Sequence, residues 1–350
     1  MKMNVFIRTA ALMAAVAVSA PAFAGGMTVA EKDDSKLKVE AKVFVSAVNR
    51  KDSSAGVTTI QSQSVNLDRA YLGIKYYFDD DWMMRITYDA AAETGKLGKA
   101  QNVFLKYAYL EGKLAGDAAV LRLGQSHTPW IDYEQGLWKH RYVSKVMIDE
   151  YKMDSSSDLG VGLKGKVDMF NYFVTVSNGN GYGAPTTNKG NNAGLDFNAR
   201  VGVEPIKGLT IDAGMKSGYN GTKLSAVNGA AAVAGTKQDM TQFMVTYGMG
   251  HDFRVGANYI NSKSTPAAAV GVTTKGYGIW GWANVMDNFG AFARVENLKD
   301  NTAGAVKTDR TVFGLEFTPR KHVNLSLVTD NSKTGTKKTD IVGLYSQFKF

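Results

Sequence analysis

The feature that most constrains the fold of this 350-residue chain is an alternation of apolar and polar residues that recurs along its length. In the segment 37–45 every second residue is apolar, and most residues between them are Lys or Glu. A period of two is that of a β-strand with one apolar and one polar face. Because the pattern returns about sixteen times, the sequence predicts an all-β protein of about sixteen strands, with fourteen or eighteen as alternatives.

The predicted strands form a group of five and a group of eleven, separated by the longest interruption, residues 126–158. Connections alternate between short turns, such as 79–81, and long polar loops, such as 50–64. Turns then lie on one rim and loops on the other, which is typical of outer-membrane barrels. The predicted strands lie near 37–45, 66–78, 82–88, 103–109, 119–123, 159–167, 169–177, 195–204, 209–217, 240–249, 253–262, 276–286, 289–298, 310–318, 322–330 and 340–350.

The face that each side chain occupies is predicted from its position in the alternation. In the fourth strand Val103, Leu105, Tyr107 and Tyr109 are expected on the apolar face, with Lys106 on the polar face. The polar faces of most strands carry Lys, Arg, Asp, Asn or Gln, so they are expected to meet water.

Residues 1–24 have the composition of a cleaved secretory signal. Lys2 and Arg8 precede and flank an apolar stretch that is too short to span a membrane, and Ala22-Phe23-Ala24 has the small-x-small pattern of a cleavage site. Gly25 is then the first mature residue, and residues 25–350 form one barrel domain. Removing Lys2 and Arg8 changes the formal net charge from +9 to 9 − 2 = +7.

The composition narrows the class further. The chain has no Cys, so neither disulfides nor thiol-based metal sites hold it together, and no cofactor is expected. An exported chain is not expected to meet nucleic acid, so its positive charge favours anionic solutes or lipopolysaccharide as partners. A soluble β-sandwich also alternates, but its polar faces would lie in bulk water. The signal, the lack of Cys and the unequal rims favour a closed barrel with its apolar face in lipid.

The last strand carries the most specific signal, because it ends the chain with an alternating run and a terminal Phe350. That ending resembles the C-terminal signature of Gram-negative outer-membrane barrels. The run 121–130 (LRLGQSHTPW) is similar to the strand-to-loop segment of phosphate-selective-type porins, and the run 69–78 (RAYLGIKYYF) is similar in style to strands of that group. Residues 25–350 as a whole therefore resemble the sixteen-stranded trimeric porins.

The resemblance implies a homotrimeric outer-membrane channel whose third external loop follows the fifth strand and folds into the bore. In this sequence that position belongs to residues 126–158. The expected function is passive diffusion of small hydrophilic solutes and ions. The expected loop contains both acids, Asp132 and Glu134, and a basic cluster, Lys139 to Arg141.

Charges that face the bore set the selectivity, because fixed positive charge in a narrow aqueous bore concentrates anions. Cations outnumber acids on the predicted polar faces, which predicts a mild anion preference. Loop acids opposite wall arginines would instead create a transverse field, and both arrangements remain open. The candidate pore-lining residues are Arg69, Arg85, Lys106, Arg122, Asp132, Glu134, Lys139, His140, Arg141 and Lys145.

Two alternatives to a channel remain. A structural or adhesive barrel would have apolar packing inside and no constriction loop. An outer-membrane hydrolase would need a His beside a Ser or paired acids, but the four His residues are scattered and no Gly-x-Ser-x-Gly motif occurs. No catalytic residues are therefore assigned.

Overall fold

A computed structural model describes residues 26–92, 101–183, 194–221, 235–267 and 269–350. The signal predicted at residues 1–24 lies outside the described residues and stays a prediction. The described residues form one antiparallel sheet of 17 strands. The strands are β1 Met27–Lys32, β2 Ser35–Ser54, β3 Val57–Tyr77, β4 Trp82–Ala92, β5 Gln101–Lys113, β6 Val120–His127, β7 Ser157–Val167, β8 Phe170–Ser177, β9 Asp196–Ile206, β10 Leu209–Asn220, β11 Thr236–Met249, β12 Phe253–Thr265, β13 Val272–Met286, β14 Phe289–Asp300, β15 Lys307–Arg320, β16 Val323–Thr334 and β17 Lys337–Lys349.

The sheet closes on itself through strands β2 to β17. Each of these sixteen strands pairs with the next along the chain, and β17 pairs with β2 from Lys337 opposite Ser54 to Lys349 opposite Lys42. Closure removes the unpaired edges that an open sheet would present. The predicted count of sixteen strands and the predicted barrel are therefore confirmed.

The short strand β1 is an addition that the alternation did not predict. It pairs with the start of β2, with Met27 opposite Val39. Phe350 exchanges backbone hydrogen bonds with Ala41 (3.1 and 3.3 Å), so β1 continues the wall where β17 ends. A six-residue strand has too few alternating positions to stand out in the sequence.

The outer face of the barrel is apolar and the inner face is polar over most of its circumference. On β11, Phe243, Val245 and Tyr247 are exposed on the outside, whereas Gln242 and Thr246 are buried inside. Exposed apolar residues of this kind recur on nearly every strand, which suits contact with lipid. No helix in the described part of the chain is long and apolar enough to cross a membrane.

The predicted loop at 50–64 is wrong, because these residues belong almost entirely to β2 and β3. The two strands meet at a two-residue turn, where Ala55 and Gly56 have φ of 49° and 85°. This hairpin rises beyond its neighbour β4, and most of β3 from Val57 to Val65 is exposed on both faces. With no face to bury, the sequence there shows no alternation and looks like a loop.

A β-bulge at Lys106 corrects a second prediction. The register of β4 with β5 shifts between Thr87 opposite Tyr107 and Tyr88 opposite Leu105, so Lys106 is an extra residue. An extra residue moves every later side chain to the other face. Tyr107 therefore points into the barrel, where it is only 6% exposed, and Tyr109 follows it. The prediction that these two tyrosines share the outer face with Leu105 is wrong.

The long connection between β6 and β7 folds into the bore, as predicted for residues 126–158. It contains the helices α1 (Ile131–Trp138) and α2 (Met147–Glu150). Six of its apolar side chains are buried in one cluster with inward residues of β11 to β16, and we call this connection the inner loop. The inner loop occupies one side of the barrel and leaves open space on the other.

Candidate channel and its constriction

The inner loop is seated on one wall by apolar packing around Trp138. The Trp138 ring lies edge-on to Trp280 and to Phe292, with centroid distances of 5.9 and 5.8 Å. The Arg294 guanidinium lies 4.3 Å from the Trp138 ring centroid, and the Trp282 indole N–H donates to the Leu137 carbonyl at 2.9 Å. Apolar inward residues such as Trp280 and Phe292 thus lie beneath the loop among the polar ones, and this packing makes the loop a fixed part of the bore.

Glu134 belongs to this contact surface between the inner loop and the wall, which we call the loop seat, and its side chain faces the wall. Its carboxylate accepts hydrogen bonds from the Trp130 indole N–H at 2.9 Å and from the Asn258 amide at 3.1 Å, and it lies 3.7 Å from Arg294. Glu134 is fully buried, and this burial raises the pKa of its carboxyl, although the charge of Arg294 acts in the opposite direction. Glu134 therefore does not border the open space, unlike the position expected from the sequence.

Charged contacts fasten the rest of the inner loop. Tyr151 donates to Glu296 at 3.0 Å, and Glu150 lies 3.4 Å from Arg310. At the far end of the loop, Asp154 accepts from Lys216 at 2.6 Å. These contacts reach β10, β14 and β15, so the loop is held along most of its length.

The open side of the bore contains a cavity of about 340 Å³ between the inner loop and strands β17 and β2 to β6. Cations outnumber acids six to two among its lining side chains, which leaves a formal charge of 6 − 2 = +4. The two acids are Glu40 and Asp132. The six cations are Lys42, Lys75, Arg85, Lys106, Arg141 and Lys349.

Acids on the wall neutralise some of these cations. Lys75 lies 2.8 Å from Glu40, which also pairs with Arg85. Lys106 lies 3.5 Å from Asp89, a buried acid outside the cavity lining that also accepts from Arg69 at 2.7 Å. Arg69 thus contacts an acid that lies behind the cavity lining, and it does not border the cavity itself.

Two lysines on the wall carry charge that none of the described ion pairs neutralises. Lys42 on β2 lies directly opposite Lys349 on β17, and both border the cavity near the turn rim. Like charges directly opposite on neighbouring strands destabilise the pairing. Because Lys42 and Lys349 lie side by side and both border the cavity, their two charges together strengthen the positive potential at this end of the bore.

Asp132 is the acid that the inner loop presents to the cavity. Its carboxylate lies 3.5 Å from the His127 ring, which stacks on Tyr107 at 4.0 Å. Burial alone would raise the pKa of Asp132, but its contact with His127 and the charges of Arg85 and further cations hold that pKa below its usual value. Asp132 therefore carries negative charge at neutral pH.

We call this cavity the main cavity because of its charge. The contact between His127 and Asp132 separates it from a second, slightly larger cavity of about 380 Å³, and both residues border both cavities. Arg122 and Lys164 line the second cavity, and both pair with Glu111, at 2.6 and 3.0 Å. The open bore therefore has two lobes with a carboxylate at their junction.

The basic residues of the inner loop lie in two different surroundings, some in the loop seat against the wall and some at the main cavity. Lys139 lies 3.7 Å from the Trp282 ring centroid, and His140 lies 3.4 Å from Glu316 on the wall. Arg141 borders the main cavity, 3.9 Å from Asp149, and Lys145 lies 3.6 Å from the same acid. Lys139, His140 and Lys145 do not border either of the two cavities described above.

The structure thus brings four of the ten candidate residues to the main cavity, namely Arg85, Lys106, Asp132 and Arg141. Three lysines border the main cavity without being among the ten candidates, because the alternation predicts the face of a strand on which a side chain lies but not its depth in the bore. These lysines are Lys42, Lys75 and Lys349.

A closed sixteen-stranded barrel with an apolar outer face and a loop folded into a charged bore has the fold of the outer-membrane porins. No family model matches the sequence, and no curated protein matches it. The resemblance therefore lies in the fold.

Among solved structures, an anion-selective porin from Comamonas acidovorans is similar with a TM-score of 0.67 and 13% identity, over 90% of this chain and 100% of that one. The outer-membrane channel DcaP of Acinetobacter baumannii is similar with a TM-score of 0.64 and 11% identity, over 91% and 99%. A trimer form of OmpT, an outer-membrane protein of Vibrio cholerae, is similar with a TM-score of 0.60 and 13% identity, over 91% and 100%.

Proposed function

We propose that the chain is a passive diffusion channel for small hydrophilic solutes and inorganic ions, with a mild preference for anions. The observation that carries this proposal is the main cavity, an open space beside a firmly seated loop, whose lining side chains have a formal charge of +4. Fixed positive charge in a narrow aqueous bore raises the local concentration of anions and lowers that of cations.

The strength of the preference follows from how the charges pair. Glu40 and Asp89 each neutralise cations on the wall, and Asp132 places a negative charge at the junction of the two lobes. Lys42 and Lys349 remain without an ion pair among the described residues. A weak excess of positive charge, opposed by one loop carboxylate, supports a mild preference for anions and argues against strict selectivity for them.

Swelling of proteoliposomes tests the diffusion step without reference to charge. Liposomes that contain the purified chain are expected to swell in an isosmotic solution of a small sugar such as arabinose, and much less in one of a large oligosaccharide. Protein-free liposomes are the control. Equal, background swelling in both sugars would contradict the channel and would favour the structural or adhesive barrel.

A hydrolase is the second class to be tested. His127 lies near Asp132 and His140 near Glu316, but His127 stacks on Tyr107 and His140 is buried in the loop seat. Neither arrangement supplies an accessible nucleophile beside the His. We therefore expect no hydrolysis of peptide or phospholipid substrates by the purified protein, and measurable turnover that His127→Ala abolishes would contradict this.

We also propose that the chain forms a homotrimer. The support is the fold, which it shares with a protein described in a trimer form. Light scattering coupled to size-exclusion chromatography in mild detergent is expected to give three chains per particle. A single chain per particle at all protein concentrations would contradict the trimer and leave the channel proposal intact.

A further inference from the structure

The second cavity lies under the beginning of the inner loop and opens toward the turn rim. The inner-loop residues Pro129 and Tyr133 border it on the side of the long loops. On the opposite side its lining reaches Asp117, in the turn between β5 and β6, and Lys166, near the end of β7. A solute that enters from the turn rim therefore meets the inner loop above it, so the cavity has the shape of a pocket beside the main passage.

The middle of the second cavity presents an aromatic and apolar surface. Phe173 on β8 lies directly opposite Lys164 on β7, and Val120 on β6 lies opposite the same lysine on its other side. The Phe173 ring lies against Gly162, where a Cβ atom would come within 2.9 Å of the ring, so the absence of a side chain there gives the ring its place. The ring of Tyr133 borders the cavity from the inner loop.

The two aromatic rings are held by arginines. The Arg122 guanidinium lies 5.4 Å from the Phe173 ring centroid, and the Arg200 guanidinium lies 3.6 Å from the Tyr133 ring centroid. Asp212 accepts hydrogen bonds from Arg200 at 2.7 Å and from the Tyr133 hydroxyl at 3.2 Å. Because these contacts fix the rings in advance, a flat ligand can bind between them without first ordering them.

The charges of the second cavity leave one cation for a ligand. Among its lining side chains cations outnumber acids four to two, which gives a formal charge of 4 − 2 = +2. Both lining arginines and Lys164 are paired with the acids Glu111 and Asp212. Lys166 is exposed and takes part in none of the ion pairs among the described residues. It follows Lys164 by two residues on β7, so it lies about 7 Å nearer the turn rim, at the mouth of the cavity.

We propose that the second cavity binds a small aromatic monocarboxylate, of the size of benzoate, from the turn-rim side. The ring lies between Phe173 and Tyr133, and the single carboxylate lies at Lys166 with Lys164 beside it. The volume of about 380 Å³ is sufficient, since about 150 Å³ accommodates benzene in an engineered cavity. An inorganic anion would use only the lysines, and an uncharged ring would leave Lys166 without a partner. This inference goes beyond conduction, because it concerns a solute that the chain retains.

Isothermal titration calorimetry of the full chain in detergent tests the proposal with benzoate, acetate and benzamide. Acetate lacks the ring and benzamide lacks the charge, so each is expected to bind at least about tenfold more weakly than benzoate. Acetate that binds as tightly as benzoate would overturn the proposal in favour of a general anion site. Benzamide that binds as tightly as benzoate would overturn it in favour of an uncharged apolar cavity.

Variants locate the bound ligand. Lys164→Gln/Lys166→Gln removes the charge at the mouth and is expected to weaken benzoate binding about tenfold, and Phe173→Leu, which keeps the apolar volume, about fivefold. The matched control Lys42→Gln/Lys75→Gln removes two lysines from the main cavity and is expected to bind benzoate as the wild type does. Wild-type affinity in both variants of the second cavity, or a loss in the control instead, would overturn the proposal.

Liposome swelling separates this inference from the channel proposal. A chain whose liposomes swell normally but which binds no benzoate would overturn the inference and leave the channel standing. Binding of benzoate with the expected losses in the variants, by a chain that gives no swelling, would support the inference and contradict the channel.

Discussion

The indole of Trp138 in the inner loop stands edge-on to the indole of Trp280 on β13, with ring centroids 5.9 Å apart and planes at 72°. This contact joins the element that narrows the bore to the wall that supports it. Both rings are almost completely buried. A channel of constant width needs such a seat, because a loop held only by exposed polar contacts would move.

The first prediction concerns this seat. Trp138→Ala removes a fully buried ring, and such truncations cost about 3–5 kcal/mol. Since the strands keep their own pairing, we expect a folded barrel with a displaced loop, seen as larger and noisier single-channel currents. The control is Trp82→Ala, on the outer face at the turn rim. Quiet currents of wild-type size in the Trp138 variant would contradict the role of the seat.

The second prediction uses the buried pair of Glu134 and Arg294. Arg294→Met leaves Glu134 buried without its cation, which is expected to destabilise the loop by about 3–5 kcal/mol. The double variant Glu134→Gln/Arg294→Met removes the uncompensated charge and is expected to recover part of this loss. Limited proteolysis of the inner loop, compared among the three proteins, measures the effect. Equal protease resistance in all three would contradict the assignment of this pair to the seat.

The pH dependence of the same site follows from the raised pKa of Glu134. A carboxyl whose folded pKa is raised favours the folded state when protonated, so its contribution is fully present below its ordinary pKa of about 4 and is lost as pH rises through the raised value. Acidification should therefore restore protease resistance to the Arg294→Met variant. The Glu134→Gln/Arg294→Met variant, which lacks the Glu134 carboxyl and keeps only that of Glu296 beside residue 294, should show a smaller change, and an identical pH profile would count against the site.

The third prediction concerns Asp132. Asp132→Asn removes the carboxylate that both lobes share, so the preference for anions should increase. A charge about 8 Å from a passing ion in water changes its energy by about 0.5 kcal/mol, or about twofold in local concentration. Asp80→Asn, on an exposed turn, is the control. An unchanged reversal potential would show that ions do not pass Asp132.

Because the pKa of Asp132 lies below its usual value, wild-type selectivity should stay constant from neutral pH to mild acid. It should move toward anions only below about pH 4, where the carboxylate is lost. The Asp132→Asn channel should lack that part of the change. A wild-type shift centred near pH 6 would indicate a different titrating group.

The fourth prediction compares three arginines by charge reversal. Arg85→Glu should shift the reversal potential furthest toward cations, because Arg85 borders the main cavity. Arg122→Glu should act less, since Arg122 lies in the second lobe beside Glu111, and Arg69→Glu least, since Arg69 lies behind the lining with Asp89. The same shift in all three, or none, would contradict this order.

The barrel was predictable because lipid outside and water inside impose a period of two on every strand that has both. That pattern is lost where a strand leaves the membrane, which is why the hairpin 50–64 looked like a loop. A β-bulge also shifts the alternation from one face of the strand to the other. Because a bulge cannot be recognised in a single sequence, Tyr107 and Tyr109 were assigned to the wrong face. At the bulge the local pattern was correct and the register changed, whereas in the hairpin the pattern itself was absent.

The site was less predictable than the wall. The position of the inner loop followed from the resemblance to the trimeric porins, applied to the long segment after the fifth barrel strand, but the direction of each loop side chain depends on which wall residues are apolar. Trp280 and Trp282 stood on the inward parity of β13, an exception to the polar bore. Glu134 faces those strands and Asp132 faces the cavity, a distinction that two neighbouring acids on a short helix do not reveal.

The central claim is that the open side of the bore conducts ions and slightly favours anions. Single-channel recording in planar bilayers with asymmetric KCl tests it directly. The account predicts stable conductance and a reversal potential displaced toward that of chloride, which becomes smaller when Lys42 and Lys349 are both changed to Gln. No conductance from correctly folded protein would contradict the channel, and a displacement toward potassium would contradict its charge map.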